Sequence, residues 1–165
     1  MQHKFDAPVS GAVAESNYKY AIVASPTHPD AQELLAFWKS RPSDGIVIGR
    51  DVPSRKIAKI LSHLAIHEPV GGRLDFKTRL AGNSVRSRYG SDIKGKLMSE
   101  LFDPDTFRHH LHMTLEVLDN DAPLILDSHV VSGAVERLHT EVVIMPVWPP
   151  DRSSKWVLAG FFFFQ

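Results

Sequence analysis

The chain has 165 residues and an apolar fraction of 43%, enough for one domain with a real core and too apolar for wholesale disorder. Lys plus Arg and Asp plus Glu both total 19, a balance that argues against nucleic acid as the main partner, because phosphate binding needs a basic field. Cysteine is absent, which excludes disulfides, thiolate catalysis and cysteine metal sites, and no apolar run approaches the roughly 20 residues that span a bilayer.

Residues 1–27 read as an N-terminal tail. Its start, Met1-Gln2-His3-Lys4-Phe5-Asp6, lacks the charged-then-apolar layout of a secretory signal, so a cytoplasmic setting is expected. Residues 11–17 are small and polar and are expected to be partly flexible. Two helices form a flank over 28–65. Thr27 is placed to cap the first, with Pro29 in its first turn and Asp30 three residues after the cap. Ala31, Leu34, Leu35 and Trp38 follow as an apolar stripe at helical spacing. The second helix starts at Asp51 or Ser54 and carries Ile57, Ile60, Leu61 and Leu64.

A core is expected over 66–164. Residues 66–70 form a short strand, and Gly71-Gly72 turns the chain into a second one. There Leu74, Phe76, Thr78 and Leu80 alternate with Arg73, Asp75, Lys77 and Arg79, the period of a half-buried strand. Short helical turns fill 83–102, punctuated by Gly90 and Gly95. Asp103 or Asp105 caps a longer helix to about Leu118. Three strands close the chain at 124–134, 140–148 and 156–164. Their short links require antiparallel neighbours. The sum is an α+β fold, a five-stranded antiparallel sheet with helices on one face, preceded by two N-terminal flanking helices.

Several motifs stand in a fixed order. Trp38 ends the first helix, and Asp51-Val52-Pro53-Ser54-Arg55 opens the second. Phe76-Lys77-Thr78-Arg79-Leu80-Ala81-Gly82-Asn83 follows the pattern aromatic-x-x-Arg-x-x-Gly-Thr/Asn. Tyr89-Gly90 and Ile93-Lys94-Gly95-Lys96 follow, and then Leu101. This series, over about residues 34–164, resembles the PAS domain, in particular the short single-domain PAS-type proteins common in alphaproteobacteria. Ile48-Gly49-Arg50 departs from the two-proline form of that family, and Phe161-Phe162-Phe163-Phe164 is more aromatic than its usual ending.

The resemblance implies a regulatory or sensory protein that acts through contact with another signalling protein, tuned by a small ligand in a core cavity. The cavity walls would come from Phe107, His110, Leu111 and Thr114 on the long helix and from one face of the last three strands, with Arg86 and Tyr89 supplying polar contacts. Two light-sensing relatives need a cysteine, so their photochemistry is excluded. A third binds haem through a histidine on the long helix. Of His109, His110 and His112, only His110 lies within the apolar arc of Phe107, Leu111, Thr114, Leu115 and Leu118. The expectation is no cofactor, with haem at His110 as the alternative. His109 and His112 are spaced for a metal but lack a third ligand nearby in sequence.

No Gly-x-Ser-x-Gly, phosphate-binding glycine loop or His-Glu-x-x-His is present, so an enzyme is not expected. A small-molecule enzyme would need a polar cluster inside the cavity. Arg73, Lys77, Arg79, Arg86 and Arg88 could form a basic surface for an acidic partner, although Asp75 within the row favours an ordinary solvated face. The stripe Leu34, Leu35 and Trp38 needs cover. The last strand needs burial on both faces, since Phe161 and Phe163 point opposite to Phe162 and Phe164. A homodimer built on these surfaces is expected, with no nucleic-acid or membrane partner.

Overall fold

The computed structural model describes residues 2–5, 16–132 and 135–165. In chain order the elements are β1 (Gln2–Phe5), β2 (Ser16–Val23), α1 (Pro29–Lys39), a 3-10 helix (Arg55–His63), β3 (Leu64–Val70) and β4 (Asp75–Ala81). Then come α2 (Asn83–Tyr89), α3 (Met98–Leu101), α4 (Pro104–Asn120), β5 (Leu124–Ser132), β6 (Val135–Val147) and β7 (Trp156–Phe164). Among the described residues the strands form one seven-stranded sheet in the order β1-β2-β5-β6-β7-β3-β4, antiparallel at each pairing.

The antiparallel α+β fold expected from the sequence is present. The five expected strands are β3 to β7. Two more lengthen the sheet, so the expected count of five and the extent of the tail are corrected. Ser16–Val23 pairs with β5 from Asn17↔Val131 to Val23↔Ile125. Its sequence signal is the alternation of Tyr20 and Ile22 with Lys19, blurred because Ala21 and Val23 are apolar as well. Residues 11–15 of the segment expected to be flexible, and residues 133 and 134 of the expected strand 124–134, lie outside the described residues.

Helices cover both faces rather than one. On β6, Val143, Met145 and Val147 pack with α1 and the 3-10 helix, whereas Val142 and Ile144 pack with α4. On β7, Leu158 and Phe162 join the first cluster and Val157 and Ala159 the second. A strand buried on both faces must be apolar at every position, which is why these segments read as continuous apolar runs.

The α1 stripe is therefore core. Leu34 is 0% exposed, Leu35 8% and Trp38 6%. The expectation that Leu34, Leu35 and Trp38 form a dimer surface is overturned, because the second apolar face of the chain's own sheet covers them. Gly160 makes the approach possible. A Cβ there would stand 2.6 Å from Leu34 Cδ2. The cap of α1 is His28, not Thr27. The His28 Nδ1 accepts the Asp30 N–H at 3.0 Å, while the Thr27 and His28 N–H groups turn to Glu141 on β6.

The alternating row of β4 is interrupted. Phe76 and Thr78 are buried, but Leu74 and Leu80 are 74% and 52% exposed. Ile66 pairs with Leu80 and His67 with Thr78, so Arg79 is an extra residue and the strand changes face across this bulge. The strand then leaves the sheet through Gly82, whose N–H donates to the Leu64 carbonyl at 2.9 Å and whose carbonyl accepts Arg86 N–H at 3.0 Å.

Candidate functional site

Between α4 and the sheet lies a partly open cavity of about 110 Å³. Its floor is the face of the sheet opposite α1, formed by residues two apart along each strand: Leu126 and Ser128, Thr140, Val142 and Ile144, Val157, Ala159 and Phe161. His67 of β3 and Thr78 of β4 continue that floor. His110 and Thr114 of α4 form the roof. Tyr89, Met98, Leu101 and Phe102 close one end, with Arg88 at the margin.

The polar groups of this mostly apolar space are nearly all engaged. The Thr114 hydroxyl donates to the His110 carbonyl at 2.8 Å. The Ser128 hydroxyl donates to the Thr140 carbonyl at 3.2 Å. His67 Nδ1 lies 3.1 Å from the Thr78 hydroxyl. Burial pushes the His67 imidazole down to about 4, so it is neutral near pH 7. The Tyr89 hydroxyl differs. Tyr89 is 8% exposed and its hydroxyl has no hydrogen-bond partner among the described residues. Burial pushes its phenol up, partly offset by the Arg88 charge beside it.

Three of the six residues expected at the cavity line it: Tyr89, His110 and Thr114. Arg86, Phe107 and Leu111 do not. Along α2 the buried residues are Val85 and Tyr89, four apart, which brings Arg88 to the cavity and turns Arg86 toward Asn83 and Asp92. Along α4 the buried residues are Thr106, Met113, Thr114, Val117 and Leu118. The inward face is rotated away from the Phe107–Leu111 edge because two threonines are inside. Thr106 can be buried since its hydroxyl donates to the Asp103 carboxylate at 2.8 Å, and Thr114 is satisfied by its own helix. Asp103 also caps α4, accepting the N–H groups of Asp105 and Thr106.

His110 is oriented by stacking on Phe102, with ring centroids 4.5 Å apart and planes 17° from parallel. His109 packs edge-on to Tyr20, and His112 pairs with Glu116 at 3.1 Å, so His109 and His112 diverge. The polar lining groups that sequence reasoning did not name are His67, Thr78, Arg88, Ser128 and Thr140, the last two on strands of which one face was expected to line the cavity. Thr78 was legible in the alternating row. Ser128 and Thr140 were not, because their strands carry polar residues on both faces at that point.

The family model for the PAS domain matches residues 26–161. The chain belongs to the PAS domain family. PAS domains are generally sensory or regulatory rather than enzymatic, and they commonly mediate protein interactions. No curated protein and no solved structure matches this PAS chain. None of the described helices is long and apolar enough to cross a membrane.

Proposed function

We propose that this PAS domain is a sensor of one small, mostly apolar molecule. The molecule occupies the cavity under α4, and the signal leaves through contact with another protein. The observation that carries this reading is a partly open, mostly apolar cavity walled by Tyr89, a buried residue whose hydroxyl has no hydrogen-bond partner among the described residues. A dry cavity of about 150 Å³ in another protein takes up benzene, so the 110 Å³ here suits a single-ring compound. The Tyr89 hydroxyl selects for a polar atom on that ring, and neutral His67 adds no charge.

Room argues against haem at His110. The cavity is on the scale of one ring, not a macrocycle, and the His110 imidazole is already stacked on Phe102. The one hydroxyl–imidazole contact, Thr78 with His67, has no third side chain hydrogen-bonded to the imidazole among the described residues, and burial makes that imidazole a weak base, which supports a binding role over an enzymatic one. The output contact, with a signalling protein or a second copy of this chain in a cytoplasmic setting, uses a surface other than the buried α1 stripe.

The test is titration of the purified chain with phenol, followed by amide NMR. Saturable shifts at Tyr89, Thr114 and Ser128 are expected, and Thr114→Leu, which fills the cavity, abolishes them. No saturable shift at these residues sinks the reading. A Soret band after haem reconstitution that is lost in His110→Ala would favour the haem alternative.

A further inference from the structure

The geometry points to a divalent transition-metal site on the opposite face of the sheet, formed by Asp127, His129 and His139. The site is distinct from the cavity and does not depend on the ligand proposed for it. β5 and β6 are antiparallel with Asp127 opposite Glu141 and His129 opposite His139. Residues two apart on a strand share a face, so these four side chains emerge on the side that α1 occupies.

His129 and His139 stack face to face, with centroids 4.0 Å apart and planes 15° from parallel. Both direct Nε2 to the same carboxylate. His139 Nε2 lies 2.6 Å from Asp127 Oδ1, and His129 Nε2 lies 3.2 Å from Asp127 Oδ2. One donor atom from each residue falls within 4.8 Å of the others, the one such group among the described residues. Metal–ligand bonds of about 2.0–2.2 Å set cis donors roughly 3 Å apart, so small rotations of these side chains suffice.

The surroundings favour this use. Phe164 stacks on the other side of His139 at 4.0 Å and fixes its ring. Glu141 is not a competing ligand, because its oxygens hold the N–H groups of Thr27 and His28. The three side chains are each about 27–31% exposed, which leaves coordination positions open to water or a further ligand. Two imidazoles and one carboxylate select Zn²⁺, Co²⁺, Ni²⁺ or Fe²⁺ over Mg²⁺ and Ca²⁺, which prefer oxygen alone. Each imidazole must present a bare nitrogen to the metal, so binding strengthens as pH rises. Ser128 and Thr140 alternate with these residues and face the cavity, so both sites share two strands.

The experiment is titration of the full chain with Co²⁺ and Zn²⁺ at pH 7.5, read by calorimetry and Co²⁺ absorption. One ion bound in the micromolar range is expected. His129→Gln or His139→Gln should weaken it more than the roughly 10–100-fold lost with an outer-sphere partner. His112→Gln, which removes the exposed His112–Glu116 pair, should leave it unchanged. Should a histidine variant fail to fold, paramagnetic broadening in the unaltered chain decides. Co²⁺ must broaden the ring protons of His129 and His139 before those of His112. No binding, binding lost only with His112, or the reverse order of broadening overturns the proposal.

Discussion

Glu141 of β6 accepts the backbone N–H of Thr27 at 2.9 Å on each carboxylate oxygen and that of His28 at 2.8 Å on one of them. A carboxylate 2% exposed thus holds the start of α1 against the sheet from 114 residues away in the chain. Its negative charge also sits at the positive end of the α1 dipole.

Glu141→Leu leaves two part-buried N–H groups, those of Thr27 and His28, without this charged acceptor. Hydrogen bonds to charged groups contribute about 1.5–3 kcal/mol, so a loss of about 3 kcal/mol is expected. Urea unfolding should show a lower midpoint with an unchanged slope, and the Thr27 and His28 amides should exchange faster. A variant as stable as the original chain would remove this role.

Gly82 belongs to the motif that ends β4, and the structure gives it a physical reason. Its φ is an ordinary −69°, so backbone freedom is not the point. A Cβ would stand 2.3 Å from the Ser62 carbonyl oxygen, and backbone cannot easily give way. Gly82→Ala is expected to cost about 3 kcal/mol or more, the upper range of overpacking. Gly72 has φ +67° and open space around it, so Gly72→Ala should cost only about 1 kcal/mol. Thermal unfolding of the two variants tests the order, and equal losses would contradict the steric account.

The contrast shows what was legible in the sequence. Strands β3 to β7 and helices α1 and α4 follow from periodicity and caps, whereas α2 and α3 were legible only as short helical turns between glycines. β2 was hidden because Ala21 and Val23 blur its alternation. The split of the helices between two faces was hidden because an apolar run does not say what covers each side. At the cavity, Tyr89, His110 and Thr114 were legible, but the face of α4 was misjudged by about one residue. Apolar character marks Phe107 and Leu111 as inward, whereas hydrogen bonds inside Asp103–Thr106 and Thr114–His110 permit threonines there instead. The Asp127–His129–His139 group depends on strand register, which no single segment reveals.

Tyr89→Phe separates binding from folding. The hydroxyl makes no hydrogen bond to the described residues, so its removal should change stability by less than about 1 kcal/mol. Phenol affinity should fall about tenfold, which corresponds to one hydrogen bond of about 1.4 kcal/mol. Isothermal titration beside thermal unfolding tests both parts. An unchanged affinity would show that the Tyr89 hydroxyl does not meet the ligand.

His67 makes stability depend on pH. Burial holds its imidazole at about 4, whereas in the unfolded chain it titrates near the ordinary value of about 6.5. Above pH 6.5 it is neutral in both states and has no effect on the slope. Between 6.5 and 4 the unfolded chain takes up a proton that the folded chain refuses, so stability falls as the pH drops. Below 4 both states are charged and the loss levels off at about 3 kcal/mol. His67→Gln should lose this component while keeping a side chain able to bond Thr78. Urea unfolding at pH 7.5 and 4.5 is the measurement, because other titrating groups act alike in both chains and cancel. The original chain should lose about 2 kcal/mol more than the variant over that interval. Parallel losses would mean that His67 takes up its proton in the folded state without penalty, and that the cavity floor is open to water.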